Sequence, residues 1–272
     1  MIDIHSHILP GLDDGSDTME ETLGMVRQLY KAGFKTLIAT PHVLEGNDSL
    51  SPEEILAATD QVSKQVAEAG IPVEILPGAE NYIFPDLAKW VRQGKLLTLG
   101  NTGKYLLVEL PMLEIPQYTE QVFFELQVLG VTPVLAHPER NKGLIDQPAR
   151  LLEWAKNGVL FQLNFRSLSG RYGPQSQELA EIMLRSNLIH FVGSDAHRTS
   201  QKDSTYLEAL QSVEEVVGEE RFREVTLINP QTIIAGKPLP GEREYILNGP
   251  IKKKRMNRFW RFYKRLRGKE ED

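Results

Sequence analysis

Residues 1–17 read MIDIHSHILPGLDDGSD. The first seven alternate, with Ile2, Ile4 and Ser6 on one face and Asp3, His5 and His7 on the other, which is the period of a β-strand. An H-x-H spacing sends both imidazoles to the same side of that strand, a geometry that suits a metal ion. The same spacing occurs on solvated strands, so the pair needs further ligands to mean anything. Gly11, Asp13 and Asp14 then form a loop, and Ser16 and Asp17 are residues of the type that caps a helix. The stretch therefore reads as strand, polar loop and helix start.

Beyond residue 17 the same unit repeats. Apolar or β-branched runs follow in MIDIHSH, KTLIATPH, VEILPGAE, YLLVELP, TPVLAHPER, GVLFQLNF and IHFVGSDAH, and most precede a helical stretch. The first helix is expected to run from Ser16–Asp17 to KAGF. The second opens at SPEE, a capping serine with proline at the first helical position and acids in the first turn, and ends near EAGIP. Further helices are expected near 118–129, 146–157, 175–187 and 203–217, with Asn229 and Pro230 opening a short last one. Alternating βα units imply a parallel sheet, and seven of them without a second compositional regime favour a closed (β/α)7 barrel over a doubly wound open sheet.

In such a barrel reactive groups gather where strands end and βα loops begin. Here the strand ends carry His5 and His7, His42, Glu80, Glu109, His137, and Asp195 with His197, and the first loop carries Asp14. Any one strand-end histidine or acid is more often a surface or capping group. Five of the chain's six histidines share that rim, however, beside carboxylates that directly follow apolar runs, and burying those charges without a cation is costly. The sixth, His190, starts its strand at the opposite end and reads as structural. Nine nitrogen and oxygen ligands suit a cluster of two or three ions. With no cysteine in the chain, the mixture fits manganese, iron or zinc rather than calcium. Arg140 and Arg198 closely follow proposed ligands, and a guanidinium beside metals suits a phosphate dianion, although each alone is equally an ordinary surface ion pair. Together these features point to phosphoester hydrolysis.

Bulk properties fit an enzyme of this kind. Of the 272 residues 41% are hydrophobic and 25% charged, as in ordinary globular proteins. The absence of cysteine excludes disulfides and a thiolate nucleophile. No apolar run approaches the roughly 20 residues that cross a bilayer, and the start lacks a signal-peptide pattern, so a cytoplasmic location is expected. The net charge of −6 conceals an asymmetry. Residues 252–272 hold ten Lys and Arg against three acids, a net of +7, which leaves −13 for residues 1–251. The chain is thus expected to divide into a barrel over 1–251 and a basic tail over 252–272. At helical spacing Met256, Phe259, Trp260, Tyr263 and Leu266 align between basic residues, a pattern suited to the anionic inner face of a membrane. A tail that is disordered, or that folds back to neutralise the acidic body, is the alternative.

The stretches DIHSHILPGLDDGS, IATPH, PGAE, LLVELP, LAHPER and VGSDAH resemble the polymerase and histidinol phosphatase (PHP) superfamily. More narrowly they resemble the manganese-dependent protein-tyrosine phosphatases of bacterial capsule and exopolysaccharide operons, the CpsB/CapC type. The likeness runs from Met1 to about Pro238 and includes NFRSLSGRYG and INPQTIIAG. It implies a distorted (β/α)7 barrel with three divalent ions, manganese by preference and iron or zinc as alternatives. Carried over by motif, His5, His7, Glu80 and Asp195 would hold the first, Glu80, Glu109 and His137 the second, and Asp14, His42 and His197 the third. Arg140, Arg198 and Asp195 are the expected catalytic residues, with Arg140 a motif match for a phosphate-holding arginine.

The implied reaction is in-line attack of a metal-activated hydroxide on phosphotyrosine, carried by a membrane-associated bacterial tyrosine kinase as the expected partner. Ser6 replaces the family's frequent cysteine, on the strand face away from the histidines. After IATPH the chain continues VLEGND where relatives usually have histidine and basic or aromatic residues, which puts substrate preference in doubt. The enzymatic rival is a histidinol-phosphate or other small-molecule phosphatase, disfavoured by Asp14 where those enzymes usually have histidine. A PHP nuclease is disfavoured by the acidic body, so nucleic acid is not an expected partner. A scaffold that binds a kinase tail through a decayed site is disfavoured by the full ligand set.

Overall fold

In the computed structural model, residues 1–46, 49–199, 204–239 and 245 are described. The basic segment 252–272 lies outside them. Nine strands occur among the described residues: β1 (Ile2–Ser6), β2 (Thr36–Ala39), β3 (His42–Val43), β4 (Glu74–Pro77), β5 (Glu80–Tyr82), β6 (Tyr105–Glu109), β7 (Thr132–Ala136), β8 (Leu160–Asn164) and β9 (Phe191–Gly193). They occupy the seven expected runs, of which two are broken. The KTLIATPH run divides into β2 and β3 at Thr40–Pro41, and VEILPGAE into β4 and β5 at Gly78–Ala79. Proline cannot donate to a ladder, and a Cβ on Gly78 would press on Ile38 at 2.7 Å, so each run bends there.

Those bends carry the ring from one sheet to the next. All pairings are parallel, in a three-stranded sheet β1-β2-β4 and a six-stranded sheet β3-β5-β6-β7-β8-β9. The ring closes where Ser6 bridges Ala196. There the His7 N–H donates to the Ala196 carbonyl at 2.9 Å and the Asp195 N–H to the His5 carbonyl at 2.8 Å. The architecture is a distorted seven-run parallel barrel, and the open-sheet alternative is set aside by that closure.

Helices cover the outside: α1 (Met19–Lys31), α2 (Pro52–Glu68), α3 (Leu87–Arg92), α4 (Thr119–Val128), α5 (Lys142–Asp146), α6 (Ala149–Lys156), α7 (Pro174–Arg185), α8 (Ser204–Val217), α9 (Glu219–Arg223) and α10 (Asn229–Ile234). At α2 the Ser51 hydroxyl accepts from the Glu54 N–H while Glu54 reaches back to the Ser51 N–H, a capping box that satisfies two otherwise unpaired donors. The cap of α1 is Thr18 rather than Ser16 or Asp17. Ser16 is buried, with its hydroxyl 2.8 Å from that of Thr22, and so is unavailable as a cap.

Two apolar layers hold the barrel. The larger packs helix faces such as Met25, Val26 and Leu29 of α1 and Val62 and Val66 of α2 against strand residues Leu37, Leu106, Val108, Leu135, Phe161, Leu163 and Val192. The smaller comprises Ile2, Ile4, Ile38, Tyr105, Leu107, Val134, Ala136 and Phe191, with Ile233 of α10 among them. Tyr105, Leu107 and Glu109 share one face of β6. Leu107 pairs with Glu80. The apolar filling therefore gives way to carboxylates at the C-terminal rim.

Candidate metal centre

At the rim where β1, β6, β7 and β9 end and the short β3 and β5 begin, with His42 and Glu80 as their first residues, imidazoles and carboxylates meet. His5 Nε2 and His7 Nε2 stand 3.1 Å apart, and Glu80 Oε2 lies 3.0 Å from the first and 3.2 Å from the second. All three side chains are fully buried. The outer nitrogens fix the tautomers. His5 Nδ1 lies 2.8 Å from Gln162 Oε1, which also accepts from the His137 N–H and so must be the oxygen; His5 Nδ1 is therefore the donor. His7 Nδ1 donates to Asp13 Oδ2 at 2.7 Å. Both Nε2 lone pairs thus point at each other and at a carboxylate oxygen. That arrangement is favourable only with a proton or a metal cation between them.

Asp195 Oδ1 completes this group, 3.5 Å from His5 Nε2 and 3.4 Å from His7 Nε2. Beside it, His137 Nε2 lies 3.0 Å from Glu80 Oε1 and 3.7 Å from Glu109 Oε1. His42 Nδ1 lies 3.3 Å from Glu80 Oε2 and 3.5 Å from Glu109 Oε2. On the open side Asp14 Oδ1 approaches His197 Nε2 at 3.2 Å and His42 Nε2 at 3.5 Å, with the His7 and His197 rings stacked at 3.9 Å. Three sets of donor atoms are each close enough to share an ion: His5, His7, Glu80 and Asp195; His42, Glu80 and Glu109; and His7, Asp14, His42 and His197. Glu80 Oε2 and His42 Nδ1 are buried and, among the described residues, make no hydrogen bond, which is the state of an atom that a cation takes up.

The groups set one another's protonation. Burial opposes charge on His5, but Glu80 and Asp195 overcome it and push its pKa to about 9. His7 rises too, against burial, through Asp13, Asp195 and Glu80. Burial alone would raise Glu80 and Asp195, yet the histidines, His5 foremost, hold both well below the usual carboxylate range. Glu109 goes the other way: burial, then the Glu80 charge, push it up to about 8. His137 is lowered by burial and Arg140, and His197 by burial and His7. Such mutual perturbation marks functional clusters.

The backbone is bent to reach this geometry. His137 and Asp195 adopt φ of +29° and +47°, left-handed conformations that cost non-glycine residues of order 1–3 kcal/mol. Gly15 lies so close over His7 that a Cβ there would strike the His7 carbonyl.

All nine residues expected as ligands therefore sit in one cluster. The two arginines differ. Arg140 Nη1 donates to Asp195 Oδ2, and its guanidinium stacks 4.3 Å from the centre of the Tyr172 ring. Arg198 is instead engaged by Asp17 Oδ2 at 2.6 Å and Glu21 Oε2 at 3.1 Å, at the start of α1 and half exposed. Residues of the supporting layer escaped the sequence reading: Asp13, Gln162, Asn164, Arg166 and Tyr172. The doubled acid at 13–14 and the NFRSLSGRYG stretch were the available signals. Arg166 Nη2 donates to the carbonyls of Ser194 (3.2 Å) and Asp195 (3.0 Å), pinning the turn that carries a ligand.

Comparison with known proteins places this geometry. Residues 1–235 match the family model for capsular polysaccharide synthesis, CpsB/CapC. The chain is 37% identical over 248 residues to tyrosine-protein phosphatase YwqE of Bacillus subtilis, covering 89% of this chain and 97% of the relative. It is 31% identical over 240 residues to tyrosine-protein phosphatase CpsB of Streptococcus agalactiae, covering 86% and 98%. One solved structure superposes with a TM-score of 0.82 at 35% identity, covering 89% of this chain and 100% of the other. It comes from work on YwqE of Bacillus subtilis and CpsB of Streptococcus pneumoniae, described as unique metal-dependent tyrosine phosphatases.

Proposed function

The chain belongs to the CpsB/CapC family of capsular polysaccharide synthesis, and on that premise we propose that it is a metal-dependent protein-tyrosine phosphatase acting on a tyrosine-phosphorylated kinase of a capsule or exopolysaccharide system. The observation that carries the reading is the convergence of His5 Nε2, His7 Nε2 and Glu80 Oε2, lone pairs inward, beside Arg140.

Three divalent ions are assigned to the cluster. His5, His7, Glu80 and Asp195 would hold one, Glu80, Glu109 and His137 a second, and Asp14, His42 and His197 a third. Manganese is the expected metal, because the donors are nitrogen and oxygen without thiolate. Bound cations supply Lewis acidity, bringing the pKa of a water to near 7 and offsetting phosphate charge.

The chain's own residues orient the reaction. Gln162 and Asp13 fix the tautomers of His5 and His7, while Asn164 and Arg166 fix Asp195. Arg140 has one edge on Asp195 and offers further N–H groups to a phosphoryl oxygen, where a preorganised donor counts most. The basic segment 252–272 is assigned to an anionic membrane surface, which would bring the enzyme to a membrane-attached kinase at the cytoplasmic face. Salt-sensitive co-sedimentation of the full chain, but not of 1–251, with anionic vesicles tests that assignment.

The deciding assay follows turnover of a phosphotyrosine peptide after exhaustive chelation and after return of manganese, with histidinol phosphate in parallel. Activity on the peptide that vanishes on chelation and returns with manganese is expected. Undiminished turnover in metal-free protein, or preference for histidinol phosphate, overturns the reading.

A further inference from the structure

Imidazoles and carboxylates that hold metal have no proton to give, and a guanidinium gives none up, so the departing tyrosine oxygen needs another donor; the layer beneath Asp195 holds a group suited to that task. Asn164 sits at the end of β8, and its Oδ1 accepts from the Arg166 N–H at 3.0 Å. A backbone N–H can only donate, so the orientation of the Asn164 amide is fixed. Its Nδ2 therefore faces the other two neighbours, donating to Asp195 Oδ2 at 3.2 Å and to the Tyr172 hydroxyl oxygen at 2.9 Å. Arg166 Nη2 donates to the same oxygen at 3.5 Å. Among the described residues the Tyr172 hydroxyl accepts both of these hydrogen bonds and donates none. Its proton is left to point outward, two hydrogen bonds from the carboxylate of Asp195.

The surroundings reinforce this. Tyr172 stands on a short turn between Gly170 and Gly173, at φ +76° and +93°, closed by a hydrogen bond from the Gly173 N–H to the Gly170 carbonyl at 3.0 Å. The Arg140 guanidinium lies on its ring face, and Arg171 is 6.0 Å from the ring centre. Three arginines thus surround a phenol whose oxygen accepts from Asn164 and Arg166. Arg140 touches both this ring and Asp195, so a phosphoryl group held by Arg140 lies next to Tyr172.

We infer that Tyr172 is a catalytic residue, the general acid for the leaving group of a phosphotyrosine substrate. This rests on the phosphatase reading. As water oxygen bonds to phosphorus and the ester P–O bond breaks, the Tyr172 proton passes to the departing phenolate oxygen. The tyrosinate is then reprotonated from solvent. Donor and leaving group are both phenols, a chemical match that favours proton transfer.

The test compares phosphotyrosine peptide with 4-nitrophenyl phosphate, whose far more acidic leaving group needs no proton, in metal-loaded wild type and Tyr172→Phe. The phenylalanine keeps the ring on which Arg140 stacks. General-acid catalysis contributes about 10²–10⁴ in rate, so kcat on the peptide is expected to fall by about 10² or more, with KM and metal content little changed. On 4-nitrophenyl phosphate the expected loss is less than about fivefold, since only the proton-requiring step is affected. Equal losses on both substrates overturn the assignment and leave the phosphatase reading intact. Across a series of aryl phosphates the wild type is expected to depend weakly on leaving-group basicity, and a steep dependence in the unaltered protein overturns the assignment without any variant. Failure of the unaltered protein to turn over either substrate removes the phosphatase reading and the role of Tyr172 with it.

Discussion

His7 and Asp13 are joined by a 2.7 Å hydrogen bond from Nδ1 to Oδ2, and the same carboxylate accepts from the backbone N–H of His42 at 3.0 Å and of Gly15 at 2.9 Å. One partly buried acid therefore orients a candidate ligand just past β1 and anchors another on β3. The His7 charge and hydrogen bond hold the Asp13 pKa below the usual range, against its burial. Asp13→Ala is expected to weaken metal binding by about 10–100-fold, the usual consequence of losing an outer partner of a ligating histidine. Titration of manganese into chelated wild-type and variant protein measures it, and unchanged affinity would remove Asp13 from the supporting layer.

Glu80 and Asp14 serve the cluster unequally. Glu80 is fully buried and lies within 3.0–3.3 Å of His5, His7, His42 and His137. The Asp14 side chain is 70% exposed and, among the described residues, pairs with His42 and His197 at the open side. Removing a carboxylate common to two ions uncovers a buried set of imidazoles; removing a peripheral one opens a single position to water. Glu80→Ala is expected to lose more metal per chain, and more activity, than Asp14→Ala. Elemental analysis of both variants decides it, and equal metal contents would contradict a bridging Glu80.

Metal binding should release protons. Without metal, the Glu80 and Asp195 charges raise His5 from 6.5 to about 9, so at pH 7–8 its imidazole is protonated, and Glu109, at about 8, is largely protonated at pH 7. Both must lose those protons to coordinate, so the sign is fixed: affinity rises with pH toward about 9, by about tenfold per unit for each proton displaced. Calorimetric titration with manganese in buffers of different ionisation enthalpy counts the protons. A count of zero at pH 7 would mean that the ligands are already deprotonated.

The strands were legible in the sequence because apolar runs and polar ends recur with the period of a βα unit, and a buried parallel strand leaves that signature wherever it lies. Pro41 and Gly78 were equally visible. That they hand the ring from one sheet to another follows from strand neighbours, which a single run does not encode. The helix expected over 146–157 is instead α5 and α6, separated at Gln147–Pro148, because Asn141 caps an earlier start by accepting from the Leu144 N–H. The short α3 left no amphipathic period long enough to read. The ligands could be found because five of six histidines, with several acids, recur where apolar runs end, a coincidence that scattered surface groups do not produce. Gln162 and Asn164 could not, since a neutral amide on a strand looks the same whether it points at solvent or fixes a tautomer.

The two arginines flanking the site give the sharpest contrast. Arg140 is mostly buried, shares Asp195 Oδ2 with Asn164 and is oriented by Tyr172, so its charge is already in place when a phosphoryl group arrives. Arg198 spends its guanidinium on Asp17 and Glu21 in water, where solvent screening leaves such pairs weak. Arg140→Ala is expected to lower turnover by about 10²–10³, the cost of deleting a preorganised charge-stabilising donor. Arg140→Lys should recover only part of it, because an ammonium lacks the planar fork and the stack on Tyr172. Arg198→Ala should leave turnover within about threefold of wild type, the scale of a weak surface pair. Steady-state kinetics on a phosphotyrosine peptide at saturating manganese separate the two. A large loss in Arg198→Ala with a small one in Arg140→Ala would reverse the assignment, and would mean that Arg198 leaves Asp17 and Glu21 to meet the substrate.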